Sequence, residues 1–174
     1  MILNLDQKEY KGGFEMSNMV KKCIATGCFV FNKSRILLVY HKALGGTWIQ
    51  PGGHVDANEI PTDAALREVK EETGIDAKLI GDTGMKSKSK RYLPKPILVT
   101  YARVPYKDRP AHYHFNMLYL AEMATPKQKI RTSDENAKTG WFTEKEVDRL
   151  KMFVNVRTSI HAGFKAMRAL HRLG

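Results

Sequence analysis

The stretch GHVDANEIPTDAALREVKEETGI, residues 53–75, decides how this chain is read. Pro61 at the entry and Gly74 just past the end bracket a helix over 62–73, because proline is preorganised for a first helical turn and glycine for the left-handed residue that ends one. With Ala64 set at 0° and ~100° per residue, Glu68 falls at ~40°, Glu72 at ~80° and Glu71 at ~340°. The carboxylates thus share an arc of ~100° and flank a core face of Ala65, Leu66 and Val69. Glu68 and Glu72 stand i,i+4, a like-charge pair that costs ~0.2–0.5 kcal/mol unless something offsets it. A solvated face with Arg67 pairing Glu71 is one reading of the pattern, and a bound divalent cation is the other. The preceding Pro51, Gly52 and Gly53 favour the cation, since they let the backbone turn tightly and approach a ligand beside the helix start.

Upstream of this stretch, residues 21–31 form a strand-like apolar run and 35–41 a second, joined through Asn32, Lys33 and Ser34 as a hairpin. Residues 42–61 carry Gly45, Gly46, Pro51, Gly52, Gly53 and Pro61, and read as a long loop, of the kind that is usually functional or disordered. Residues 1–19, weakly periodic and containing Gly12 and Gly13, read as a lead-in to a single domain over 20–174. Downstream, strands are expected near 77–83, 96–104 and 112–122, the last alternating Phe115, Met117, Tyr119 and Ala121. Thr143 and Glu146 make the capping box of a short helix, and Ile160, Phe164, Met167 and Leu170 mark an amphipathic helix over 156–173. Strands and helices mix without strict alternation, so the expected class is α+β or mixed α/β, with helices covering a mixed sheet.

At 174 residues, 43% hydrophobic and 27% charged, the chain has the composition of one soluble globular domain and not of a repeat array or a disordered polymer. The uncharged stretch that runs from Cys23 up to Lys33 falls far short of the ~18 residues of a membrane span, and the N-terminus lacks a signal-peptide pattern, so a cytoplasmic protein without a membrane partner is expected. The formal charge is +11, yet residues 53–75 set six acidic against two basic side chains. An acidic island in a basic protein suits a site that takes a cation and a polyanion together. Cys23 and Cys28 would lie ~16 Å apart on opposite faces of one strand, out of disulfide reach, and read as core thiols.

The stretch resembles the signature of the Nudix hydrolases, G-x5-E-x7-R-E-U-x-E-E-x-G-U with U aliphatic, matched here by Gly53, Glu59, Arg67, Glu68, Val69, Glu71, Glu72, Gly74 and Ile75. At ordinary residue frequencies the fixed identities have a chance probability on the order of 10⁻⁸ per start position. The resemblance implies an α/β/α sandwich around a mixed sheet and hydrolysis of a nucleoside diphosphate linked to another group, with a nucleoside triphosphate or related nucleotide as the default substrate. It implies Mg²⁺ or Mn²⁺ held by Glu68, Glu71 and Glu72, with the Gly52 carbonyl as a further ligand, Arg67 orienting Glu68, and Glu59 supporting Arg67. It also leaves the general base open between the signature itself and a later loop, where Glu135 is the best candidate beside Asp134. Homodimers are common in the family. The alternative from another class is a nucleotide-sensing or RNA-binding module on the same fold; the intact glutamate set argues against it, and no motif supports RNA.

Outside the signature, Lys86, Lys88, Lys90 and Arg91 form the densest basic stretch and are candidate contacts for substrate phosphates. His112 and His114 share one face of a strand, but with no third ligand evident they read as half-buried surface residues. Trp48 reads as a packing anchor.

Overall fold

The computed structural model describes residues 22–84, 89, 92–107, 110–133 and 136–173. The lead-in, the basic stretch Lys86, Lys88, Lys90 and Arg91, and the loop carboxylates Asp134 and Glu135 lie outside the described residues. The elements are β1 (Lys22–Asn32), β2 (Arg35–His41), β3 (Thr47–Ile49), β4 (Gly52–His54), α1 (Pro61–Thr73), β5 (Ala77–Ile80), β6 (Leu98–Val104), β7 (His112–Met123), β8 (Asn136–Phe142), α2 (Glu144–Val147) and α3 (Val154–Leu173).

One mixed sheet runs β3-β2-β1-β7-β5, with β4 also on β1, β6 on β7 and β8 on β2. Its spine is the parallel pair β1–β7, which runs from Lys22 opposite Tyr113 to Phe31 opposite Glu122. Alternation along the central strands sorts the core into two layers. Phe29, Phe31, Ile36, Leu38, Leu118 and Leu120 pack with Ile160, Phe164 and Met167 of α3, whereas Cys28, Val30, Leu37, Tyr119 and Ala121 pack with Ala65 and Val69 of α1. The result is an α/β/α sandwich, as the resemblance implied. Helix α3 lies so close to the sheet that a Cβ on Gly163 would sit 2.9 Å from the Phe29 ring.

Several expectations need correction. The 42–61 segment is not one loop, because Gly52, Gly53 and His54 pair with Gly27, Thr26 and Ala25 of β1 and make a strand of it, while Thr47–Ile49 pairs with β2. The expected hairpin is joined only at its tip, at Phe31 with Ile36 and Asn32 with Arg35; β2 then turns to β8 and β1 to β4. Strand β8 was not foreseen. Trp48 does pack, edge-on to Tyr40 and Phe142.

Helix α1 begins at Pro61 and ends on Gly74, whose φ of 72° is the left-handed cap that glycine supplies without strain. Its buried arc is wider than the sequence suggests: Ala64 and Glu72 are buried together with Ala65, Val69 and Thr73, and Leu66 is only half-buried. Glu68 and Glu72 therefore point into the protein. The reason is β4, which α1 packs against in addition to β1, β5 and β7. Thr26 anchors the arrangement, its buried hydroxyl lying 3.1 Å from the carbonyls of both Pro61 and Met117, so that the start of α1 is tied to the sheet spine.

Candidate metal and phosphate site

Arg67 organises the carboxylates. Its Nε donates to Glu59 Oε1 at 3.0 Å and its Nη2 to Glu59 Oε2 at 2.9 Å, the two-bond fork that a planar guanidinium makes with a carboxylate. Nη1 donates to Glu68 Oε1 at 2.8 Å and to Glu71 Oε2 at 3.0 Å, and Nη2 also reaches the His54 carbonyl at 3.0 Å. One side chain thereby fixes two carboxylates of α1 and the end of β4. The Arg67 guanidinium holds the Glu59 carboxyl below the usual carboxylate range, and the same pairing raises the Arg67 pKa, so the arginine remains charged.

Glu72 is held differently. Only 5% exposed, it accepts from the Gly52 N–H at 2.9 Å through Oε2 and from Asn136 Nδ2 at 3.0 Å through Oε1. Gly52 thus reaches the carboxylates through its amide. Asn136, at the start of β8, is a site residue that sequence reading missed, since nothing local marks it. Its buried Oδ1 has no hydrogen-bond partner among the described residues, leaving an acceptor beside Glu72.

The two glycines are required by space. A Cβ on Gly53 would lie 2.3 Å from Glu68 Oε1, and one on Gly52 would lie 2.3 Å from the Thr26 carbonyl. Gly53 of β4 is therefore the surface on which the Glu68 carboxylate rests. Three carboxylates on one helix, preplaced by an arginine and by backbone, form a hard-oxygen donor set that fits Mg²⁺ or Mn²⁺.

A cleft of about 670 Å³ opens beside Glu71, lined among others by Lys70, Lys129 and Arg131. The Lys70 ammonium is held by Asp76 at 2.8 Å, so Lys129 and Arg131 are the basic side chains left in the lining. On the far side of β4, His112 and His114 are joined by His54, a third imidazole that the sequence did not place near them, and by Cys23, which is half-buried and so not the core thiol expected; Cys28 is fully buried. Burial and the neighbouring imidazoles push the His114 pKa down to about 4.

Comparison with known proteins agrees with this architecture. A family model described as the NUDIX domain matches residues 21–162, and the chain belongs to that family. The asymmetrical bis(5'-nucleosyl)-tetraphosphatase of Mus musculus is 29% identical over 67% of this chain and 69% of its own length. A probable DHNTP pyrophosphohydrolase of Lactococcus lactis is 29% identical over 58% of this chain, and the phosphatase NudJ of Escherichia coli is 40% identical over 34% of it. The matched stretches span 54% of the Lactococcus protein and 39% of NudJ. Among solved structures, a NUDIX-family hydrolase from Clostridium perfringens superposes with a TM-score of 0.70 at 21% identity, covering 85% of this chain and 99% of that one. No helix among the described residues is long and apolar enough to cross a membrane.

Proposed function

We propose that this chain is a metal-dependent hydrolase that cleaves the phosphoanhydride bond of a nucleoside diphosphate linked to another group, by attack of water on phosphorus. The observation that carries the reading is the preplaced triad: Glu68 and Glu71 on one Arg67 nitrogen, and Glu72 buried on the Gly52 amide. Glu68, Glu71 and Glu72, with the Gly52 carbonyl, would hold Mg²⁺ or Mn²⁺. Such a cation neutralises charge on phosphate oxygens and lowers the pKa of attacking water.

The chain's own residues supply the rest. Arg67 keeps Glu68 and Glu71 oriented while remaining charged. Burial keeps Glu72 in one rotamer, and a carboxylate takes the proton of the attacking water. Glu135 is the candidate base outside α1, and Glu68, Glu71 and Glu72 are those within it. Lys129 and Arg131, in the lining of the cleft beside Glu71, suit the phosphates of the substrate. Lys86, Lys88, Lys90 and Arg91 are proposed as further phosphate contacts. The names of the relatives, a tetraphosphatase and a pyrophosphohydrolase, support a phosphoanhydride as the bond broken.

The test is a panel of nucleoside triphosphates, dinucleoside polyphosphates and nucleotide sugars incubated with Mg²⁺ or Mn²⁺. Turnover of at least one member that stops after chelation is expected. Undiminished turnover after thorough chelation would overturn the metal dependence, and no turnover of any member would favour the nucleotide-sensing alternative.

A further inference from the structure

Strands β1, β4 and β7 bring a second donor cluster together on the face of the sheet away from α1. Cys23 stands opposite His114 in the β1–β7 register, and Ala25 stands opposite His54 in the β1–β4 register. Residues opposite one another share a face, and alternate residues of a strand return to it, so Cys23, His54, His112 and His114 all project from the same side. Gly53, one residue before His54, faces Glu68. His54 therefore points away from the carboxylate site.

The three Nε2 atoms form a nearly equilateral triangle: His54 to His112 is 3.2 Å, His54 to His114 is 3.1 Å, and His112 to His114 is 3.0 Å. Hydrogen bonds among neutral rings cannot account for all these edges. Each Nε2 is either a donor or an acceptor, and a triangle whose corners take two values always has one edge joining equals. His112 narrows the choice further, because its Nδ1 lies 3.2 Å from the Pro110 carbonyl. A carbonyl only accepts, so Nδ1 carries the proton and Nε2 of the neutral ring presents a lone pair. A carbonyl partner on the remote nitrogen is the arrangement that orients metal-binding histidines.

A single cation accepting the lone pairs resolves the conflict. Ligands ~2.0–2.1 Å from a tetrahedral zinc ion stand ~3.3 Å apart, close to the observed triangle. A donor for the fourth position stands nearby, since Cys23 offers a ligand atom within 4.8 Å of those of His54 and His112, and coordination at ~2.3 Å from sulfur would draw it in. Imidazole and thiolate donors suit zinc and its first-row neighbours, and not Mg²⁺.

We propose that His54, His112, His114 and Cys23 form a zinc site, distinct from the carboxylate site of α1, that clamps β4 to β1 and β7. Four protein ligands leave no open position, which makes the role structural. The clamp holds the strand whose Gly52 amide and His54 carbonyl meet Glu72 and Arg67.

The test uses the full chain freed of any histidine tag, stripped with chelator, loaded with Zn²⁺ and dialysed against millimolar Mg²⁺. One retained zinc per chain is expected, and a His54→Gln/His114→Gln variant should bind zinc at least ~10-fold more weakly. Substitution of Co²⁺ should give visible d–d bands and a near-ultraviolet thiolate-to-metal band, the latter lost in Cys23→Ser. Should the double variant fail to fold by circular dichroism, the wild-type stoichiometry and cobalt spectrum decide. Equal zinc retention by wild type and a folded double variant, no retention by wild type, or a wild-type cobalt spectrum without the thiolate band would overturn the site. Glu72→Gln should keep its zinc, so a failed hydrolase assay and a failed zinc assay are separate results.

Discussion

Two donor clusters lie back to back across β4, and they are built in opposite ways. The carboxylates come from consecutive turns of one helix, and a single arginine collects Glu68 and Glu71 with Glu59. The imidazoles and the thiol come from three strands that meet only through sheet register. Helical spacing is a local property, whereas register is set by pairing partners far away in the chain, and a slip of one residue in β4 would exchange the faces of Gly53 and His54. A chemistry coded by spacing survives small shifts of the fold; one coded by register depends on every strand being in place.

The largest test of this contrast is Glu72→Gln. It keeps the shape and removes the carboxylate charge proposed to hold the cation, so a fall in kcat of at least ~10²-fold is expected. Stability should change by less than ~1 kcal/mol, because turning the Asn136 amide lets its unpartnered Oδ1 accept from the new glutamine. Near-normal turnover, or a collapse of the urea midpoint, would contradict the reading. Gly53→Ala comes next. Its Cβ would intrude on the Glu68 carboxylate at 2.3 Å, and a displacement of that size should lower kcat ~10- to 10²-fold while the far-ultraviolet circular dichroism stays unchanged.

Arg67→Lys should follow at ~10-fold in kcat, with ~1–2 kcal/mol lost in denaturant unfolding, since an ammonium cannot reproduce the fork on Glu59 while also holding Glu68 and Glu71. If lysine serves as well as arginine, the hub is not what positions the carboxylates. The smallest effect is in the acid limb of stability. Because the folded-state pKa of Glu59 is depressed by Arg67, its contribution is full above the unfolded value of ~4.3 and is lost as pH falls through the folded value. Urea midpoints of Glu59→Gln should therefore decline less steeply below pH ~4 than those of the wild type.

The contrast also explains what the sequence could disclose. Helix α1, its cap at Gly74 and the Arg67–Glu68 relation follow from a contiguous pattern, and so does the capping box at Thr143, where the side chains of Thr143 and Glu146 meet as expected. Strand β4 was hidden, because a three-residue run of Gly-Gly-His has no strand propensity and pairs only because β1 is there. For the same reason the burial of Glu72 escaped the helical wheel: its inward position depends on β4 and on Asn136, which lies 64 residues further on. The same register that hides β4 hides His54, so the sequence shows its two imidazole neighbours without a third.

The parallel spine has a consequence for how the molecule comes into being. Thr26 meets its β7 partner 91 residues downstream. Helix α1 and the tip of the β1–β2 turn can form from local contacts, but β1 keeps one long edge without its partner until the ribosome has released most of the chain, and loops of that length close slowly. The nascent protein thus passes through a stage in which an apolar strand, Phe29 to Phe31 among its residues, presents open amides and carbonyls to any neighbouring chain. Folding and self-association compete for that edge, and the arrival of β7 decides between them.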